Sequence, residues 1–209
     1  CATHPNKCFD FGSGLVPYPD AGNGPYTHYV DNSPGCSTSA AYGNSINPRC
    51  TIPLDLPAGG VVEVHGGPYD YNDGAEITLT GNGMVSQPVF LRGIDDGNGR
   101  PVIDGGDNIV TINGNYFVIE NLDWFKWNVK PSGSSHHISF RHNRLHDHPG
   151  TGALVTNFGD YFVLYNNEIN NNGVIPSAVD QHGVYTGAGS SYVWIVDNHI
   201  HHNSGDGIQ

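Results

Sequence analysis

Twelve histidines stand in a chain of 209 residues that has only eight lysines and arginines. In the second half they fall among Asn, Asp and Tyr: His146, Asp147 and His148; Asn171 and Asn172; Asp180, His182 and Tyr185; His201, His202 and Asp206. Imidazole titrates near neutral pH, so it can pass a proton or ligate a metal, and a phenol can supply a proton. His148, His182 and Tyr185 are the candidate catalytic groups, and His146, Asn171, His202 and Gln209 the candidate substrate contacts. Asp180 and Asp206 offer oxygens suited to calcium. They can equally be read as a carboxyl pair for glycoside hydrolysis, which needs the two groups about 5–9.5 Å apart. No cofactor is required, and calcium is the one ion considered. The competing reading stays open: these are solvated turn residues in which His replaces the commoner Asn.

The elements that would position these residues are short. After Thr51 come β-branched runs at Gly60–His65, Glu76–Thr80, Val89–Arg92, Pro101–Ile103 and Ile109–Ile112, each bounded by Gly, Asn or Asp. Strands of 4–6 residues with turn signals between them, and no helical period, make an all-β chain. Charged residues are only 13% and glycines number 29, which excludes a helix bundle. A formal charge of −12 argues against nucleic acid and anionic membrane as partners. No apolar run approaches the ~20 residues that span a bilayer.

Four segments repeat: Tyr116–Phe125 (YFVIENLDWF), His137–His146 (HISFRHNRLH), Tyr161–Asn170 (YFVLYNNEIN) and Tyr192–His201 (YVWIVDNHIH). Ile119, Phe140, Leu164 and Ile195 share one column, and Trp124, Leu145, Ile169 and Ile200 another. Units of this length, with one or two strands each, mark a solenoid whose coils pack only on their neighbours. The spacing is constant within a unit and variable between units, so loops on one side take up the insertions, the longest being Asn172–Gln181. Asn143, Asn167 and Asn198 fall in a third column, where stacked amides satisfy one another as a ladder. Asp123, Arg144, Glu168 and His199 form an outward column, read as a surface ion-pair ladder. On this register Val155, Tyr185 and Gln209 point outward from the strands that follow the turns.

These features resemble a known family. RHNRLHDH (Arg141–His148), YNNEINNN (Tyr165–Asn172), VDNHIHHN (Val196–Asn203) and HGVY (His182–Tyr185) are similar to motifs of parallel β-helix repeat proteins in the pectate-lyase-like superfamily. GRPVIDGG (Gly99–Gly106), followed by YFVIENL, looks like the opening coils of such proteins, and THYVDN with Cys36 and RCTI like their entry segment. The resemblance covers roughly residues 27–209 and implies a right-handed parallel β-helix. It also implies a substrate groove along the strand face beside the turns, holding His148, Asp180, His182, Tyr185, His202 and Asp206. The activity it implies is polyuronate lyase-like, on an acidic or neutral extracellular polysaccharide. The family also holds hydrolases, epimerases and non-catalytic surface proteins, so fold alone does not fix the activity.

Cys1, Cys8, Cys36 and Cys50 all lie before Thr51, in an irregular Pro/Gly/Asn/Ser-rich segment. Two disulfides, Cys1–Cys8 and Cys36–Cys50, are expected, and with them a secreted, bacterial protein. The spacings match no common zinc pattern, and a lipid-modified Cys1 is the other reading of the first residue. The expected organisation is an irregular segment over 1–50 and a β-helix over 51–209, whose last residues, Gly205–Gln209, read as the opening of another coil: either the helix continues, or its open end docks on another subunit. The alternative function is structural: an open-ended solenoid stacking head to tail into an extracellular filament or sheath.

Overall fold

The computed structural model describes residues 26–39, 41–150, 152–157, 159–176 and 180–209, with the backbone alone considered for 152–157. No helix occurs among the described residues, and every strand pairing between named strands is parallel. The chain winds as a three-sided, right-handed solenoid. The first side stacks β2 (Asp55–Leu56), β5 (Ile77–Asn82), the first half of β8 (Ile109–Glu120), β10 (Asn128–Pro131), β13 (Gly152–Asn157) and β16 (Gln181–Thr186). The second stacks β1 (His28–Asp31), β3 (Val61–His65), β6 (Val89–Gly93), the second half of β8, β11 (His136–Arg141), β14 (Asp160–Tyr165) and β17 (Val193–Val196). The third stacks β4 (Tyr69–Asp70), β7 (Val102–Asp104), β9 (Asp123–Phe125), β12 (Arg144–His146), β15 (Glu168–Asn170) and β18 (His199–His201). Because β8 turns the corner between the first two sides as one strand, those sides form a single 12-stranded sheet. The third is a separate six-stranded sheet.

Strand alternation sends every second residue inward. The two columns expected from the repeats are inward: Ile119, Phe140 and Leu164 are fully buried, and so are Leu145 and Ile169, with Trp124 nearly so. Ile195 and Ile200 pack against them. A coil cannot bury apolar area on its own, so this shared core is the main reason the coils stack.

The corners have a fixed chemistry. Tyr116, His137, Tyr161 and Tyr192 sit at left-handed φ between 47° and 58° where the first side meets the second. Asn121, His142, Asn166 and Asp197 do so at the second corner, and Lys126, Asp147, Asn171 and His202 at the third. Asn, Asp and His tolerate this conformation better than other non-glycine residues. The corner conformation by itself accounts for the residue type at His137, His142 and His202.

Just past the second corner stands the predicted asparagine ladder. Asn167 Nδ2 donates to Asn198 Oδ1 at 2.9 Å, and Asn143 Nδ2 to Asn167 Oδ1 at 3.4 Å. Each amide also donates to a carbonyl of an inner column, at Ile119, Phe140 and Leu164. A second ladder, one corner further on, was not anticipated. There Asn172 Nδ2 donates to Asn203 Oδ1 at 2.8 Å, and the His148 backbone N–H to Asn172 Oδ1 at 3.0 Å.

The outer face of the second side is buried along β3, β6, the second half of β8 and β11. Val61, Phe90 and Val118 form a small cluster with Tyr26 packed against it. Beside them run Arg92, Glu120 and Arg141, paired in register. Glu120 Oε1 accepts from Arg92 Nε at 2.7 Å, and Oε2 from Arg141 Nε at 2.6 Å, all three residues being at most 6% exposed. Cys36 and Cys50 are bonded as expected, which is compatible with an extracellular protein. The Cys1–Cys8 expectation lies outside the described residues. No described helix is long and apolar enough to cross a membrane.

Candidate functional site

The third side has two outward files, because only the middle residue of each three-residue strand points inward, but in the second of them His146 and Asn170 are buried. One file is Asp123, Arg144, Glu168 and His199, in the register expected from the repeats. The other is Phe125, His146, Asn170 and His201. The corner residues Lys126, Asp147, Asn171 and His202 flank the second file.

His146 is the most constrained group on this face. Its Nε2 lies 2.6 Å from Asp123 Oδ1 and its Nδ1 2.5 Å from Asp147 Oδ2. Both nitrogens must donate to make both contacts, which requires the imidazolium. Burial alone would lower its pKa, but the hydrogen bonds to Asp123 and Asp147 outweigh burial and raise it above 6.5. Arg144 reaches both ways along its file, with NH1 3.9 Å from Asp123 and Nε 3.5 Å from Glu168. Its Nε also donates to Asn170 Oδ1 at 3.4 Å. Lys126 lies 5.3 Å over the Phe125 ring. Farther along, His201 Nε2 is 3.4 Å from Glu168 Oε1, and the His199 and His201 rings stack at 4.0 Å. The face is a strip of cations, imidazoles and carboxylates at coil spacing.

The residues proposed from sequence are split between this strip and the turns beside it. His146, Asn171 and His202 border the strip, with Asn171 and His202 exposed at the corner. His148 instead turns inward. It stands three residues past the inner column, as Asn172 and Asn203 do in their coils, and is 6% exposed. Its Nδ1 accepts the Gly150 backbone N–H at 3.1 Å. Burial lowers its pKa, against an opposing pull from Asp107. His182 is also mostly enclosed, its side chain 15% exposed, and its Nδ1 accepts the Asp206 backbone N–H of the next coil at 2.9 Å. That contact holds the turn and leaves less of the ring for a substrate. Tyr185 is half-buried on the outer column of the first side, in register with Thr156 and, beyond it, Lys130 and Thr111.

Val155 does not share the Tyr185 column. The backbone register pairs it with Val129 and Val184, both core residues, whereas Tyr185 pairs with Thr156. Gln209 follows Ile208, which bridges Val184, and Gln209 itself exchanges backbone bonds with Val184 and Thr186. Asp180 and Asp206 are both exposed, and among the described residues neither joins a set of three converging metal-ligand atoms. Such a set does form on the strip, from Glu168, His199 and His201. Sequence reasoning missed that set, the His146 bridge and the second ladder. Counting three residues on from Leu145, Ile169 and Ile200 would have found the ladder.

One further surface feature lies at the first corner, where Tyr116, His137, Tyr161 and Tyr192 stack ring on ring at 4.4–4.5 Å. The rings cover one another's faces, so this column is chiefly a structural stack.

Fold and surface together define a right-handed β-solenoid with one densely polar, histidine-bearing side. The chain belongs to the right-handed β-helix family: residues 102–209, just over half of it, match the family model described as "Right handed beta helix region". No curated protein and no solved structure matches the chain.

Proposed function

We propose that this is a secreted, carbohydrate-active β-helix protein that takes an acidic polysaccharide along its third side. The observation that carries the reading is the placement of cations on a chain of net charge −12. Arg92 and Arg141 are spent in the buried ladder around Glu120. Arg144 and Lys126 stand on the strip, with His199, His201 and His202 beyond them, while the buried His146 bridges Asp123 and Asp147 and so offsets their charge beneath it. A uronate chain laid along the solenoid axis would meet a donor about every 4.8 Å, the strand spacing. Arg144 is suited to a carboxylate because its planar fork bonds both oxygens. The reaction that fits such a strip is eliminative cleavage. It needs a cation to neutralise the uronate carboxylate, a base for the C5 proton and an acid for the leaving oxygen, and imidazoles can fill the last two roles.

The test has two arms. Binding to a polyuronate and to a neutral glucan is measured at low and high salt, for the wild type and Arg144→Gln. The reading expects preference for the polyuronate, weakening with salt, and a loss of about tenfold or more in the variant, roughly one charged hydrogen-bond pair. Near-ultraviolet absorbance from unsaturated products reports cleavage. Equal affinity for the neutral glucan, or no effect of Arg144→Gln, would overturn the strip as the binding surface. Binding without absorbance would keep the surface and remove the lyase reaction.

A further inference from the structure

We propose that Glu168, His199 and His201 form a binding site for a borderline-soft divalent cation of the zinc class. The site is distinct from the calcium pair considered at Asp180 and Asp206, and it does not depend on any polysaccharide.

The fold assembles the three donors without long loops. His199 and His201 are two residues apart on β18, so both rings leave the same face of the strand. Glu168 is the direct partner of His199 in the neighbouring coil. One ligand atom from each residue lies within 4.8 Å of the other two. A tetrahedral shell with bonds of about 2.0–2.2 Å places its ligands roughly 3.4 Å apart. His201 Nε2 and Glu168 Oε1 are already 3.4 Å apart. His199 is exposed, so a turn of its ring closes the remaining gap.

Two features point to a ligand here. His201 Nε2 is a buried atom with no hydrogen-bond partner. Its other nitrogen, Nδ1, lies 2.6 Å from His202 Nδ1. When Nδ1–H is donated to His202, Nε2 turns its lone pair toward the Glu168 carboxylate. Two acceptors facing each other at that distance are reconciled by a cation between them. Behind the site, Arg144 Nε stands 3.5 Å from Glu168 Oε2, where it would hold the carboxylate in place as outer-shell partners do.

The donor set selects the metal. Two imidazoles and one carboxylate suit zinc, cobalt, nickel or copper, whereas calcium and magnesium demand oxygen shells. Three protein ligands at a solvent-facing strand leave the fourth position open, as in metal sites that bind a water or a substrate group.

The experiment titrates the full, untagged chain with Zn2+ by calorimetry, and with Co2+ by visible absorption, in the absence of polysaccharide. The expected result is saturable binding of one ion attributable to this site, with a Co2+ ligand-field band and no comparable uptake of Ca2+. His199→Ala and Glu168→Gln should each weaken Zn2+ binding more than tenfold. Arg144→Gln, which touches only the outer shell, should weaken it by about 10–100-fold. Melting temperatures close to wild type certify that the variants are folded, which the exposure of His199 and the partial exposure of Glu168 favour. Absent Zn2+ binding, or binding that survives both ligand variants, would overturn the site. Metal binding by a protein that ignores polyuronates would leave this inference standing and sink the one above.

Discussion

Replacing Asn167 by leucine probes the first asparagine ladder at its best-enclosed rung. Asn167 is 2% exposed, and leucine has a similar shape, so the change alters bonding more than packing. Four contacts involve the amide. Oδ1 accepts from the Asn143 backbone N–H at 3.0 Å and from Asn143 Nδ2 at 3.4 Å. Nδ2 donates to Phe140 O at 3.0 Å and to Asn198 Oδ1 at 2.9 Å. Some partners keep an alternative. Asn143 Nδ2 still reaches Ile119 O, and Asn198 Oδ1 still accepts from the Asn167 backbone N–H. The Asn143 N–H loses its acceptor in a dry turn, which costs about 1–3 kcal/mol, and the bond to Phe140 adds about 1. The total is roughly 2–4 kcal/mol, several degrees in melting temperature for a domain of this size. The half-buried Asn198→Leu should cost less. Equilibrium denaturation measures the total, and hydrogen exchange at the Asn143 amide reads the local loss. A shift below about 0.5 kcal/mol with Asn143 still protected would refute the argument that the ladder contributes through buried amides.

Glu120→Gln should destabilise by about 3–5 kcal/mol, because it strands two buried guanidiniums, those of Arg92 and Arg141. Arg144→Gln, by contrast, should change stability by less than about 1 kcal/mol, since its pairs are longer and wetter; parallel denaturation curves compare the two. The two neighbouring histidines should act oppositely on acid stability. His146 has a raised pKa, so its contribution is complete below 6.5 and fades as pH rises through the folded value; His146→Gln should therefore cost most in acid. His148 has a lowered pKa, so stability falls as pH drops below 6.5; His148→Asn, which copies Asn172 and Asn203, should relieve that loss in melting curves between about pH 5 and 8. Cys36→Ser with Cys50→Ser should remove about 3 kcal/mol, given the 14-residue separation, and leave the backbone exchange of β8 to β18 unchanged.

The solenoid was legible because its core is written at a fixed period. Ile119, Phe140 and Leu164 are column mates in sequence and in space, and the ladder at Asn143, Asn167 and Asn198 follows from the same alignment. The outward file from Asp123 to His199 was legible for the same reason. Burial on the outer face of the second side was not. Alternation marks Arg92, Glu120 and Arg141 as facing away from the core, and nothing in their spacing reveals that they form a buried ion ladder. His148 and His182 drew attention because histidine suits proton transfer, yet each ring serves a turn. Residue type cannot separate an imidazole that accepts a backbone N–H from one aimed at solvent. The convergence of Glu168 on His201 needed the coil pairing, which joins residues 33 positions apart.

The corner residues set a ruler with an engineering consequence. Tyr116, Asn121 and Lys126 are five residues apart at each step, and so are His137, His142 and Asp147, then Tyr161, Asn166 and Asn171, then Tyr192, Asp197 and His202. In these four coils one residue added within a strand of the second or third side would flip a core column outward and pull a ladder amide out of line, whereas the earlier coil that runs from Leu91 to Ile103 takes up its extra residues at the second corner, between β6 and β7. The stretch from the third corner to the next first corner obeys no such rule, spanning Lys126–His137 in one coil and Asn171–Tyr192 in another. Peptides grafted there, in the turn before β16, would extend the rim of the solenoid while the polar strip keeps its spacing. Lengthening the same turn would reshape what lies beside the strip while the scaffold stays constant.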